Sequence, residues 1–455
     1  MATITASSVS APSMALAAFP EVRHDHLRGS GCPRNLTNIA IAIHGDKRRM
    51  TRICNDEGSA ETTSMVVFVL LFPGYFFYQC AVAFGWFPAV LGGYFGIISA
   101  GLLPLLVVAF ARLVLIKPRA FGMVDALFAF IVILNCLVSG LSYIVTYWDY
   151  RNEVFLQSAS GVLFVVTCYM LARTLAIDKS QVKKVLWVSF VAMVLTVGLS
   201  SEDGVFNLRS VSGDDALGTY QGISRSVVAT ALMVICLAEK RLETVLAFVL
   251  AVVVLFLAGA RSEFVQYLAA TLLLAVVVSW RRLATSMVML GVFSVSVLAV
   301  AVLGEKVLEL VPQTRILELL DLGSATSYLE REILLSNAIE TIVKYPFLGS
   351  YGSYYHTVGK GGYAHNLLSA WVDFGLIGFV SYVVILLVMA GKVFVGLVAD
   401  RLTSNESRLA FVFFVFSTIA FAFSKDYSYM FSGFAVGFVS RYEVLRRKAL
   451  KRSGK

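Results

Sequence analysis

The sequence predicts an all-α polytopic membrane bundle of about twelve transmembrane helices with a large outer loop carrying amphipathic helices. Three observations predict it. The 455-residue chain is 58% hydrophobic and only 15% charged, with a mean hydropathy of +0.78, which is too apolar for a soluble multidomain protein. Apolar runs of roughly 20 residues, enough to cross a bilayer core of about 30 Å, recur from Met65 onward. Short segments rich in Lys and Arg separate those runs. The net charge of +9 therefore reports membrane topology; no basic domain for nucleic acid is present, and no nucleic-acid partner is expected.

Residues 1–62 are polar, rich in Ser and Ala, and carry no long apolar run. They read as a disordered tail, and Met50 or Met65 is a plausible true start. The transmembrane domain is expected over 63–441. Its spans fall near 65–84, 88–111, 123–146, 154–175, 183–200, 222–238, 243–259, 263–280, 284–303, 366–391, 407–424 and 427–441. Residues 442–455 form a basic cytoplasmic tail. Cys32, Cys54, Cys80, Cys136, Cys168 and Cys236 lack any CxxC or metal-like spacing, so neither disulfides nor zinc are implied.

Lys and Arg in short loops stay on the cytoplasmic side. With the N terminus inside, the inner segments hold 28 of the 38 basic residues, and both termini are cytoplasmic. Trp86, Trp148, Trp187 and Trp280 fall near predicted helix ends, where an interfacial aromatic belt belongs. The outer side then carries two substantial loops, 201–221 and 304–365. In the longer one, TSYLEREILLSNAIETIVKY places Leu329, Ile333, Ile339, Ile342 and Val343 on one broad helical stripe. This is the pattern of a helix lying on the membrane surface or packed against the bundle. Tyr345 and Pro346 end it, because proline disfavours helix at the residue before it.

Candidate chemistry gathers on that outer side. Arg261, in AGARSEF, sits in a very short turn between two apolar runs. It reads either as an interfacial arginine pairing with Glu263 or as an anion clamp, since a guanidinium fork suits phosphate oxygens. Arg331 lies on the loop helix between Glu330 and Glu332, where a solvated charged face is the plainer reading. Arg209 and Arg225 share the same side, and Arg225 stands near the start of a span, where a charge is costly unless it faces a polar cavity. Several arginines around one outer cavity favour a diphosphate-bearing substrate. His356 and His365 are the two histidines outside the tail. An imidazole at the mouth of a span, as at His365, suits a general base for a sugar hydroxyl. Asn366 and Asp373, seven residues apart, share nearly one face of the helix that follows, where Asp373 serves equally well as a buried packing partner. Asp214 and Asp215 lack companions for a metal site. No metal or cofactor is implied.

These segments together resemble the O-antigen ligase and O-antigen polymerase superfamily of bacterial envelope glycosyltransferases. The resemblance runs from about Arg209 to Gly378. It rests on LFLAGARSEF, on the arginine-bearing helix with its Pro-x-x-Gly element in SYLEREILLSNAIETIVKYPFLGSYG, and on the His-Asn pair and Gly-x-x-Gly of YAHNLLSAWVDFGLIG, in that order. The Ser262–Glu263 pair departs from the small neutral pair the resemblance leads one to expect. The resemblance implies a protein of the bacterial inner membrane that moves a glycan from undecaprenyl diphosphate to an acceptor sugar hydroxyl on the periplasmic face. Transfer would be metal-independent and would invert the anomeric carbon. Arg261 and Arg331 would bind the diphosphate and His365 would activate the acceptor. The acceptor is a lipid-linked glycan for a polymerase or a lipid A core for a ligase. The region after Gly378, which lacks the additional polar residues associated with ligases, favours polymerase. Membrane lipids are partners in either case, and a chain-length regulator is a further partner for a polymerase. A polysaccharide transporter or flippase is the competing class, to which a twelve-helix count is congenial. Against it stand the lack of an internal repeat and the gathering of candidate residues at the outer face.

Overall fold

The computed structural model describes residues 58–86, 94–115, 120–145, 150–201, 206, 220–279, 326–359, 361–399 and 401–452. Their regular structure is helical: α1 (Gly58–Ala83) and α2 (Tyr94–Val114), then α3 (Met123–Val145), α4 (Arg151–Thr174), α5 (Ser180–Leu199), α6 (Tyr220–Leu237), α7 (Arg241–Leu257), α8 (Arg261–Ser279), α9 (Thr326–Lys344), α10 (Tyr354–Thr357), α11 (Leu368–Ala399), α12 (Asn405–Phe423) and α13 (Phe431–Arg452). Helices α1 to α8 and α11 to α13 occupy the predicted spans, while the one predicted at 284–303 lies outside the described residues. Among the described residues, eight helices are long and apolar enough to cross a membrane. Helix α1 starts seven residues ahead of Met65, and α13 carries the basic end of the chain as a continuation of its last span.

The bundle is centred on α13, which packs closely along α4 and α12. Small residues make that approach available, as they do between helices in lipid. A Cβ on Gly433 would stand 2.0 Å from the Val165 carbonyl oxygen, and one on Gly437 would stand 2.7 Å from that of Tyr169. Glycines four residues apart thus share the face that α13 turns to α4. Above them Phe68, Phe72, Phe413, Phe434 and Phe438 form a continuous aromatic core. At the opposite end Arg173 of α4 lies 2.8 Å from Asp125 of α3. Tyr169 donates to the same carboxylate at 2.7 Å, and Arg173 also donates to Ser440 of α13. Both charges are buried and fully partnered, so removing either would leave the other stranded.

Helix α9 occupies almost the predicted bounds, and only a narrow part of its surface packs on the bundle. Among its described side chains Leu334 and Ala338 are buried, and the helix packs through Ala338 and Ile342 against Ala364 and Val372. Ile333, Ile339 and Val343 of the predicted stripe are 60%, 49% and 76% exposed. The side chain of Leu329 lies outside the described residues.

A correction concerns α11, predicted as one uninterrupted helix. At Gly375 the backbone takes φ 64° and ψ −162°, a conformation open to glycine and hardly to anything else. The break separates Val372 C=O from Leu376 N–H, the i−4 and i partners of an α-helical bond. Neither group is left bare. Ser350 N–H donates to Val372 O at 2.6 Å, and Leu376 N–H donates to Pro346 O at 3.0 Å. Trp371 Nε1 donates to the same Pro346 oxygen at 2.8 Å. The Pro346–Gly349 element after α9 is therefore inserted into the broken turn of α11. The fit is tight, since a Cβ on Gly375 would stand 2.0 Å from the Phe347 oxygen.

Candidate functional site

The ends of α6, α8, α11, α12 and α13 meet at one end of the bundle, together with α9 and its loop. At its centre is a carboxylate shared by two cations. Gly259, with φ 68°, reverses the chain from α7 into α8, and Phe264 N–H closes the first helical turn on Ala260 O at 2.9 Å. That turn carries Arg261, partly exposed, and Glu263, fully buried. Ser262 Oγ donates to Glu263 Oε2 at 2.6 Å. Glu263 Oε1 lies 2.8 Å from Lys425 Nζ and 3.6 Å from Arg225 Nε. The ring of Tyr429 lies 5.6 Å from the Arg225 guanidinium and 5.5 Å from the Lys425 ammonium, close enough for both cations to feel its negative face. Glu263, which departs from the resemblance, thus has a definite task as counter-ion to Arg225 and Lys425.

His365 lies beside this cluster, its ring 4.9 Å from that of Tyr363. Its pKa is lowered from 6.5 to about 4, first by burial and then by the charges of Arg331 and Lys425, against a backbone hydrogen bond with Ser424. The imidazole is consequently neutral near pH 7 and can accept a proton. Arg331 is exposed on α9, and its field reaches His365, Tyr363 and Lys425. Burial pulls the Lys425 ammonium below its ordinary range, with Glu263 opposing.

The supporting pair takes up distinct positions. Asn366 Oδ1 accepts from Leu368 N–H at 2.9 Å, a side-chain cap on the first turn of α11. Asp373, 4% exposed, accepts from Gly352 N–H at 3.0 Å through Oδ1 and from the Tyr427 hydroxyl at 2.9 Å through Oδ2. It ties the α9–α10 loop and the α12–α13 loop to one helical turn. Leu367 N–H donates to Phe421 O at 2.9 Å, and Tyr427 N–H to Ser369 Oγ at 3.2 Å, which fixes the His365 strand against the end of α12.

Of the predicted residues, the structure brings Arg331 and His365 together and sets Arg225 beside Glu263. Arg261 shares the first turn of α8 with Glu263. Arg209 lies outside the described residues. Sequence reasoning missed Lys425, Asp426, Tyr363 and Tyr429. The signal for the first two was SKDYSY, a charged interruption of a few residues between two apolar helices, which had served only in the charge count for topology.

Residues 246–383 match the family model for O-antigen ligase. The matched segment includes Arg261, Glu263, Arg331, His365 and Asp373; Arg225 and Lys425 lie outside it. A search of curated proteins finds no match. The family match indicates a membrane-bound, glycosyltransferase-like enzyme of ligase or polymerase type, acting on lipid-linked glycans in envelope polysaccharide synthesis.

Proposed function

We propose, from the chain's place in the O-antigen ligase superfamily, that it transfers a glycan from undecaprenyl diphosphate to an acceptor sugar hydroxyl at the periplasmic face of the bacterial inner membrane. The observation that carries this reading is the convergence of a neutral imidazole, His365, with the cations Arg331 and Lys425. A base able to take a proton lies next to charges able to hold a diphosphate.

In this mechanism the diphosphate of the donor lies among Arg331, Lys425, Arg225 and Arg261. His365 takes the proton from the acceptor hydroxyl as its oxygen bonds to the anomeric carbon from the face opposite the diphosphate. The carbon–oxygen bond to the diphosphate breaks, its electron pair stays on the leaving oxygen, and the configuration inverts. The cations stabilise the charge that develops there, the task a divalent metal performs in other glycosyl transfers. Donor binding also sharpens the base, because an anion beside Arg331 and Lys425 offsets the field that holds the His365 pKa low. Asn366 and Asp373 act on position, through the cap of α11 and the tie between loops. An outer-face site built on helix ends and an inserted loop weighs against the transporter reading, in which substrate groups gather at the midplane.

The product assignment is polymerase, with a lipid-linked glycan as acceptor, following the region after Gly378. Ligation to a lipid A core is the second reading, favoured by the match to an O-antigen ligase family. His365→Ala should abolish transfer while the protein still inserts into the membrane; near wild-type transfer by that variant would remove His365 from the mechanism. Electrophoresis of surface glycans from a deletion strain separates the products. Loss of a polymerase leaves single repeats on the core, whereas loss of a ligase leaves long chains on undecaprenyl diphosphate.

A further inference from the structure

The loop inserted at Gly375 leaves its own apolar side chains outside the bundle. Phe347 and Leu348 are 70% and 83% exposed, and Val343 and Tyr345 just before them are 76% and 44% exposed. The loop is nonetheless fastened firmly. Pro346 O accepts from Leu376 N–H and from Trp371 Nε1, and Gly349 N–H donates to Tyr345 O at 3.1 Å. What surrounds the bare side chains is set by α11. Beyond Gly375 that helix turns Gly378, Tyr382, Ile385, Met389 and Val393 inward and leaves Ile377, Val380, Leu387, Phe394 and Val398 exposed. The exposed set is spaced as one helical face, is entirely apolar and belongs to a candidate membrane span, so acyl chains cover it. Gly375 stands about 24 residues from Ala399, roughly 36 Å at 1.5 Å per residue. Even with Ala399 at the far edge of a hydrocarbon core of about 30 Å, the inserted loop lies in the boundary layer of the bilayer rather than in open water.

We propose that Phe347 and Leu348 form an interfacial wedge, inserted among the phospholipid acyl chains of the leaflet on the site's side. The proposal goes beyond the glycan-transfer reading and does not depend on it. The neighbouring side chains suit that place. Lys344 Nζ lies 5.3 Å from the centre of the Tyr345 ring, and the Trp371 indole is bonded to Pro346 O; aromatic and cationic residues of this kind gather at a membrane boundary. The backbone suits it too. Pro346 brings no N–H, and the Tyr345 and Pro346 carbonyls both accept hydrogen bonds, as irregular backbone near hydrocarbon requires. The wedge also continues the lipid-covered strip of α11, since a Cβ on Gly375, two residues before Ile377, would meet the Phe347 oxygen. With Ser350 N–H bonded to Val372 O, lipid contact at Phe347 sets the height above the bilayer of the chain that carries His365.

The test uses the full-length protein in nanodiscs of phosphatidylcholine alone, with no glycolipid present. Phe347 is replaced by the photoreactive analogue p-benzoyl-phenylalanine, and in separate samples so are Leu348 and Ile377, the last as a lipid-facing reference on α11. After irradiation, mass spectrometry of the peptides should find phosphatidylcholine adducts at Phe347 and Leu348 in yields within about threefold of that at Ile377, as expected where all three positions meet acyl chains. The Leu348 sample gives an independent reading if the Phe347 variant fails to fold. Cross-links into a second copy of the chain in place of lipid adducts, or no adduct at either position while Ile377 gives one, would overturn the wedge. Because the readout involves no turnover, failure of the transfer reading leaves a positive result standing, and failure of the wedge leaves the transfer reading untouched.

Discussion

Protonation of His365 offers a quantitative test of the mechanism. A histidine with a pKa of 6.5 is about 24% protonated at pH 7, whereas one at about 4 is about 0.1% protonated. The difference between the two values corresponds to about 3 kcal/mol of preference for the neutral form. Burial supplies the largest part, and Arg331 and Lys425 supply the rest. Because the folded value lies below the ordinary one, the base is in its working form throughout the neutral range and is lost only as pH falls through about 4. The acid limb of kcat/KM, which reports the free enzyme, should therefore fall well below pH 6. Arg331→Gln removes one of the charges that disfavour the imidazolium, so its residual activity should show that limb moved towards 6.5. NMR titration of 15N-histidine-labelled protein, with the His365 signal assigned by its absence in His365→Gln, reads the same value without turnover. Adding pyrophosphate should raise it in the wild-type protein and much less in Arg331→Gln. An acid limb unmoved by Arg331→Gln, together with a His365 signal titrating near 6.5 in the wild-type protein, would refute the coupling of base to cations.

Two other substitutions probe the framework. Glu263→Gln leaves Arg225 and Lys425 without their shared carboxylate, and stranding buried charge costs about 3–5 kcal/mol. Thermal unfolding in detergent should show a clear fall in midpoint that pyrophosphate partly restores, and a midpoint equal to wild type would show that the carboxylate is not the counter-ion. Gly375→Ala forces a side chain into φ 64° with its Cβ 2.0 Å from the Phe347 oxygen. The loop should be expelled, seen as protease cleavage near Pro346, with transfer lost; wild-type protease resistance would contradict the insertion described for α11.

The helices were legible because apolar length and the distribution of basic residues follow directly from the bilayer as solvent. The bounds of α9 were legible for a local reason, an amphipathic period stopped at Tyr345–Pro346. Its packed face was not, because the small Ala338 meets Ala364 and Val372 while the bulkier Ile333 and Val343 stay exposed. In a membrane protein close helix contact selects small residues, and a stripe scored by hydrophobicity points the other way. The break in α11 was hidden because Gly375 in an apolar run is compatible with an unbroken span, and what fixes its conformation is a loop from some 25 residues earlier in the chain. The arginines and the histidine proposed for the site were visible by residue type and position. Lys425 and Asp426 were not, since their role depends on α8 and on the α9–α10 loop brought to them by the fold.

The insertion at Gly375 has a consequence for how the site tolerates change. Ser350 and Val372 are joined by a hydrogen bond, and the chain between them carries Tyr354, Tyr363 and His365, so those residues sit on a closed ring whose two ends are fastened within one turn of α11. A second fastening, Gly352 N–H to Asp373, locks the ring's register. An inserted or deleted residue on that circumference cannot be absorbed by sliding at either end, and has to be taken up within the ring itself. The ring therefore sets the spacing between base and helix as a fixed length in the sequence.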